Sequence, residues 1–304
     1  MDHQQNNYIV MQCYGHEGIF RECAYALLSL ALLYKDRPLP ADLQIWIYTD
    51  KPEWFDLLKG IHLPLHCRKI DSGLIAEWKG KINFVHRMKI EVLKDFTATR
   101  HGNVLYVDTD VVFTRHIDDM LHNIGEGQLY MHTMEGIVSD KGNPILTKLN
   151  DHLQEHVPMQ VNGKHIYDLA MWNAGVLGFN TCYRHLLEEV LEFTDSEYPR
   201  FPKHIIEQFA FSVYFQQTGD VKTAAPWLLH YWNLKEARMV LGSFFAFFDG
   251  RSAAELVNYS MLVQMHVLMQ DKMNFAQNRS VAGKLMKKEW QPAKHDWPVL
   301  MKQL

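Results

Sequence analysis

The chain has 304 residues, 47% of them hydrophobic and 12% aromatic, and a formal net charge of -4. That length buries a sizeable core and suits one large α/β domain or two small ones. The slight acidity supplies no basic field for gripping a phosphate backbone, which argues against nucleic acid as a partner. Cys13, Cys23, Cys67 and Cys182 form no CxxC pair and lie mostly in apolar stretches, so they read as reduced core thiols of a cytoplasmic protein. The polar start through Asn7 lacks the basic-then-apolar layout of a signal peptide. The longest apolar stretch, Ala24 to Tyr34, is too short to cross a bilayer.

In chain order, the apolar run Tyr8–Cys13 predicts a strand that ends at Tyr14-Gly15, and the pattern from Ile19 to Tyr34 predicts a long helix. Leu43–Thr49 reads as a second strand, Glu53–Lys59 as a short helix and Pro64–Ile70 as a weaker third strand. Strands alternating with helices predict a parallel α/β sheet. Phe84–Phe96 reads as a helix with Phe84, Met88, Val92 and Leu93 on one stripe. Val104–Val107 is a strand that stops at Asp108-Thr109-Asp110 before Val111–Phe113 resumes. Another apolar segment, Ala174–Phe179, follows Trp172-Asn173. Helices are expected over Cys182–Phe193 and Ile205–Phe215, and the region after Lys235 is helical and aromatic-rich.

Asp108 and Asp110 are the sharpest feature. Two carboxylates set between apolar runs cost several kcal/mol, of the order of an uncompensated buried ion each, unless something cationic offsets them. A strand end can aim both at one hard cation, and Mg²⁺ or Mn²⁺ bridging to substrate phosphates fits that arrangement. The bland alternative is a solvated turn, which the flanking Val-Leu-Tyr-Val and Val-Val-Phe disfavour. His230 can complete a carboxylate-rich site, and Lys235 can neutralise a leaving diphosphate, although a given one of 17 histidines is usually an ordinary surface residue.

In Asn173-Ala174-Gly175 the small pair lets backbone approach a ligand, and Asn173 can bond sugar hydroxyls. The alternative there is a buried strand with a glycine bulge. Glu207-Gln208 opens a helix expected to be amphipathic, facing either a cleft or solvent. Arg87 and Lys89 either bind phosphate or solvate the outer face of their helix.

Taken in order, these segments resemble the GT-A glycosyltransferases, especially family 8 with its glycogenin-like and lipopolysaccharide-transferase-like members. The likeness spans about Tyr8 to Lys235. It departs at His230-Tyr231-Trp232-Asn233-Leu234-Lys235, which lacks that family's Gly and is one residue shorter from His to Lys. The resemblance implies a Rossmann-like, mostly parallel sheet flanked by helices, with residues 1–235 as the nucleotide-sugar-binding catalytic domain and 236–304 as a helical extension packed on it. It implies Mn²⁺ or Mg²⁺ held by Asp108, Asp110 and His230, and a UDP-hexose donor beside Tyr14, Arg87, Asp108, Asn173, Ala174, Gly175 and Lys235. Arg87 is expected to approach Asp108 and the donor sugar, with Glu207, Gln208 and Lys235 serving the transfer.

The expected reaction moves a hexose to a glycan, lipid-linked or protein acceptor with retention of configuration. Two other functions fit parts of the pattern: an Asp-x-Asp phosphatase or phosphotransferase, disfavoured because Asp108 does not end the first strand, and a non-catalytic nucleotide-sugar-binding domain. The tail from Val281 to Leu304 sets Lys284, Lys287, Lys288, Lys294 and Lys302 beside Leu285, Met286, Trp290 and Trp297. That mixture is suited to peripheral contact with the inner face of an anionic membrane, although Pro292 and Pro298 interrupt any long helix there.

Overall fold

The computed structural model describes residues 6–140, 142–278, 289–302 and 304. The first half runs β1 (Asn7–Cys13), α1 (Glu17–Leu33), β2 (Leu43–Thr49), β3 (Leu65–Lys69), α2 (Ser72–Trp78), α3 (Arg87–Thr99), β4 (Asn103–Val107), β5 (Val111–Phe113), α4 (Asp118–Gly125), β6 (Leu129–Met131), β7 (Met134–Ile137) and α5 (Pro144–His156). The second half runs β8 (Gln160–Val161), β9 (Lys164–His165), β10 (Ala170–Trp172), β11 (Val176–Asn180), α6 (Leu186–Glu197), α7 (Ile205–Thr218), β12 (Val221–Thr223), β13 (Leu228–His230), α8 (Ala237–Phe247), α9 (Ala253–Ser260) and α10 (Met265–Asn278). A short helix, Trp297–Met301, follows.

Seven strands form one sheet in the order β12-β6-β11-β4-β1-β2-β3. β1 pairs in parallel with both β2 and β4, β2 with β3, and β12 with β6, while β11 runs antiparallel between β4 and β6. The sheet is the mostly parallel α/β sheet that the strand–helix alternation predicts. Its strands are buried on both faces, as that architecture requires. In β1, Ile9, Met11 and Cys13 join one core cluster with α1, α8 and α9, whereas Tyr8 and Val10 join the other with α3, α5, α6 and α7.

Chain order places the site. The connections from β1 carry the chain outward to β2 and β3, and β4 then returns to the other side of β1. The crevice beyond the carboxyl ends of β1 and β4 is therefore a topological switch point, where open α/β sheets bind ligands. Tyr14 follows β1 and Asp108 follows β4 at that edge. β13 pairs antiparallel with β5, setting His230 opposite Val111, and the Tyr231 N–H donates to the Asp110 carbonyl at 3.0 Å. The C-terminal helices are tied in below: Arg238 at the start of α8 makes a two-pronged bond (2.8 and 3.0 Å) to the buried Glu22 of α1.

Several expectations need correction. The helix expected from Phe84 begins at Arg87, after turns that leave Phe84 stacked on Tyr198. The helix expected from Cys182 begins at Leu186, after a 3₁₀ turn over Thr181–Tyr183. The helix α7 is not amphipathic, because Ile205 to Glu207 and Phe209 to Phe215 are all buried. Cys13 and Cys23 are core residues, but Cys67 and Cys182 are exposed, and all four are free thiols.

Among the described residues no helix is long and apolar enough to cross a membrane. Of the tail, residues 281–288, with Lys284, Leu285, Met286, Lys287 and Lys288, lie outside the described residues. Trp297 is turned inward, its indole donating to Ser243 Oγ at 2.9 Å, and Trp290 also packs on the core.

Candidate metal and sugar site

Asp108, Asp110 and His230 come together, with one potential ligand atom from each lying within 4.8 Å of the others. Two backbone segments deliver them, the turn between β4 and β5 and the end of β13. The Asp108 N–H donates to the Gly175 carbonyl at 2.8 Å, which fixes the turn after β4 against the turn before β11. Asp110 precedes β5, and His230 closes β13, the strand paired with β5.

Gly175 is required by this packing. A Cβ there would lie 2.1 Å from His230 Cε1, far inside van der Waals contact. The sequence-level alternatives for this segment both hold in part: it enters a buried strand, and its backbone does approach closely, but the group approached is the imidazole.

The sense of each hydrogen bond follows from groups whose role is fixed. Carboxylates only accept and backbone N–H groups only donate. Asn173 Nδ2 faces Glu135 Oε1 at 2.9 Å, and the Gly175 N–H faces Asn173 Oδ1 at 3.0 Å. Asn173 must therefore present NH₂ to Glu135 and its oxygen to the interior. That oxygen lies 2.8 Å from His230 Nδ1, so Nδ1 carries a proton and donates. In the neutral imidazole the remaining nitrogen, Nε2, is then a lone pair, and it stands 3.1 Å from Asp110 Oδ1. Two acceptors held face to face need a cation, either a proton or a metal. A histidine whose other nitrogen is committed to an outer partner is the usual form of a metal ligand, so the donor set fits a divalent ion.

Burial would push the Asp110 carboxyl up, but the His230 hydrogen bond, His230 charge and Lys235 outweigh it and hold the group at about 2. Lys235 Nζ lies 3.5 Å from Asp110 Oδ2 on a side chain 61% exposed, free to swing toward an incoming anion.

On the other side of Asp108 sits Lys89. It is 3% exposed, donates to the Ala174 carbonyl at 2.8 Å, and reaches Asp108 Oδ2 and Glu207 Oε1, each at 3.3 Å. Neither sequence-level role for Lys89 survives: it does not solvate a helix face and it is enclosed by protein groups. Arg87, expected beside Asp108, turns away. Asp195 of α6 captures its Nε and Nη2 at 2.7 and 3.1 Å, and the Trp78 carbonyl and Glu91 take Nη1.

Glu207 is 2% exposed rather than solvated, and its Oε1 contacts Lys89 without a well-aligned hydrogen bond among the described residues. Burial, opposed by Lys89 and reinforced by Asp108, raises its carboxyl to about 7. Lys89 itself stays charged, because Asp108 and Glu207 overcome the desolvation that opposes it. One ammonium cannot offset two carboxylates, and Glu207, the more deeply enclosed, is the one that yields. Gln208, next along α7, donates to Glu135 Oε2 at 2.8 Å. Tyr14 lies at the end of β1 with its hydroxyl buried and unpartnered among the described residues, and burial with Asp50 pushes it up to about 12.

The arrangement adds residues that sequence reasoning missed. Glu135 sits in Met-Glu-Gly of β7, with no motif to mark it. His132 meets the His230 ring edge-on at a 5.3 Å centroid distance. Lys89 did carry a signal, since it shares its helix face with Leu93 and Phe96. A surface cavity of about 520 Å³ lined by Asn123, Tyr130, Lys222 and Trp227 lies near the β6–β12 edge. It includes none of the clustered groups, so volume does not mark this site.

No protein-family model and no curated protein sequence matches the chain. Among solved structures it is similar to the galactosyltransferase LgtC with donor and acceptor sugar analogues, at 14% sequence identity over 68% of this chain and 70% of that one, with a TM-score of 0.46. It is similar to the glycosyltransferase GlyE of Streptococcus pneumoniae TIGR4, at 16% identity over 86% of this chain and 64% of that one, TM-score 0.48. A third similarity is to mouse xyloside xylosyltransferase 1 in its apo form, at 13% identity over 71% and 84% of the two chains, TM-score 0.48. The matched region spans less than two thirds of the GlyE chain.

Two outcomes follow from this geometry. Gly175→Ala forces the His230 ring from its place, so Mn²⁺ affinity measured by calorimetry should fall about a hundredfold, the upper end for a displaced ligand, while the protein stays folded. Glu207 bears on the pH dependence of stability. Its folded value of about 7 lies above the ordinary 4.5, so the native state binds more protons between those limits and stability declines as pH rises through them. Glu207→Gln should remove that decline and stabilise the metal-free protein at pH ~8 by up to about 3 kcal/mol in urea unfolding.

Proposed function

We propose that the chain is a divalent-metal-dependent glycosyltransferase of the GT-A type, which moves a hexose from a nucleotide sugar, UDP-hexose by resemblance, to a carbohydrate, lipid-linked or protein acceptor with retention. The observation that carries the reading is the Asp108–Asp110–His230 cluster at the switch point, with His230 Nε2 turned toward Asp110 by its bond to Asn173. The ordered series of motifs from Tyr8 to Lys235 supports the same class. We further propose residues 1–235 as the catalytic unit and 236–304 as an extension packed on it.

In this reading Asp108, Asp110 and His230 hold Mn²⁺ or Mg²⁺, which supplies Lewis-acid neutralisation of the leaving diphosphate. Lys235, exposed beside Asp110, would reach the same diphosphate and offset charge as the glycosidic bond breaks. Tyr14 borders the nucleotide at the end of β1. Asn173, Ala174 and Gly175 form the wall of the sugar pocket. Lys89 holds Asp108 in place, and Arg87 acts at a distance by fixing α3 to α6.

Retention is supported by where the carboxylates around the cluster are committed. Inversion needs a free base on the face opposite the leaving group. Asp108 and Asp110 serve the cation, Glu207 is enclosed with Lys89, and both oxygens of Glu135 are occupied by Asn173 and Gln208. The departing phosphate is then the base that takes the acceptor proton on the same face. Gln208 lines the anomeric side, and Glu207, enclosed beside Lys89, supports it from behind.

Turnover of a panel of UDP-hexoses should vanish in EDTA and return with Mn²⁺, and Asp110→Ala should lose it without unfolding. Proton NMR of the first-formed sugar from an α-linked donor should show the α anomer. Full activity in EDTA sinks the metal assignment, and a β product sinks the retaining mechanism.

A further inference from the structure

Among the described residues, Glu135 accepts at both of its oxygens without touching Lys89 or the metal cluster. Its two oxygens each accept from a side-chain amide, Asn173 Nδ2 at 2.9 Å and Gln208 Nε2 at 2.8 Å. These amides come from distant parts of the chain, one before β11 and the other on α7. The carbonyl group of an amide can turn by half a rotation at little steric cost, exchanging donor for acceptor. A carboxylate beside it removes that freedom, because only the NH₂ end can face it.

We propose that Glu135 is a positioning residue of the metal site: by fixing which end of the Asn173 amide faces inward, it fixes the proton of His230 on Nδ1 and leaves Nε2 as the lone pair that ligates the cation. The relay runs Glu135 Oε1, Asn173 Nδ2, Asn173 Oδ1, His230 Nδ1, with links of 2.9 and 2.8 Å. Were Asn173 to turn, its NH₂ would face Nδ1, the proton would move to Nε2, and Nε2–H would donate to Asp110 Oδ1. That closed pair satisfies itself and shuts out a metal. The Gly175 N–H also favours the observed sense of Asn173, so Glu135 acts with it rather than alone. The second oxygen imposes the same constraint on Gln208, which links the metal side of the site to the sugar side through one carboxylate. The backbone supports the arrangement: β7 pairs with β10, the Asn173 N–H donates to the Thr133 carbonyl at 2.8 Å, and the His132 N–H donates to the Asn173 carbonyl at 3.0 Å.

The inference rests on the metal-site reading, and its test separates the two. Mn²⁺ affinity is measured by calorimetry on the wild type, Glu135→Ala and Glu135→Gln, with circular dichroism to confirm folding. Glu135→Ala removes both the charge and the acceptors, and should weaken Mn²⁺ binding about tenfold or more, as loss of an outer-sphere partner does. Glu135→Gln removes the charge but keeps one acceptor oxygen. Asn173 has two further anchors and Gln208 has only this one, so the remaining acceptor stays with Asn173 and affinity stays near that of the wild type. Unchanged affinity in Glu135→Ala overturns the proposal. Equal loss in both variants also overturns it, since long-range charge rather than hydrogen-bond sense would then be at work. If the wild type binds no Mn²⁺, the metal reading fails, and ¹⁵N NMR of His230 at alkaline pH still decides the relay. The proton should sit on Nδ1 in the wild type and shift toward Nε2 in Glu135→Ala; the same tautomer in both sinks it.

Discussion

The site is organised by one contact, His230 Nε2 held 3.1 Å from an oxygen of Asp110 with a single cation, proton or metal, to share between them. Everything around it works to keep both groups there. Gly175 leaves no Cβ in the imidazole's way, Asn173 takes the proton on the far nitrogen, and pairing of β13 with β5 sets the distance.

The same logic extends into the core behind Asp108. A lysine enclosed on all sides costs several kcal/mol, on the order of a buried ion, unless its partners are well placed. Lys89 has three of them, the Ala174 carbonyl, Asp108 and Glu207. It thereby joins β4, the Asn173–Gly175 turn and α7 at a single point, which is how the sheet and the helix behind it share one site. Asp108 gains a further donor from the Tyr106 hydroxyl at 2.9 Å. Asp108 is therefore aimed from behind, by donors that leave its outer face to the crevice, while Asp110 is aimed from the side by His230 and Lys235.

Much of this could be read in the sequence where apolar runs were long. β1, β2 and β4 carry mostly hydrophobic residues, and α1 declares itself over four turns, so the parallel sheet was legible, but its strand order, and with it the switch point, was not. Asp108 and Asp110 were legible because charge interrupts those runs. The stretch between Phe113 and Trp172 was not. β6 and β7 are three and four residues long and carry no alternation to betray them. α5 was open to detection, with Asn143 capping before Pro144 and Leu146, Leu149 and Leu153 on one face, but it carries no chemistry. Arg87 and Lys89 show the limit of reading side chains from helix position alone: a two-residue step turns one to Asp195 and the other to Asp108. Glu135 was beyond reach, since its meaning lies wholly in two amides distant in sequence. The solvated default for Glu207 failed because nine other residues of α7 are also buried.

The proposed metal centre places one divalent cation between Asp108, Asp110 and His230, and crystals grown with Mn²⁺ and measured at the manganese absorption edge test this directly. One anomalous peak is expected at this cluster, about 2.1 Å from carboxylate oxygens as hard-cation coordination requires, with His230 Nε2 completing the set. A peak elsewhere with this cluster bare, or an Nε2 hydrogen-bonded to Asp110 in crystals saturated with Mn²⁺, would contradict it.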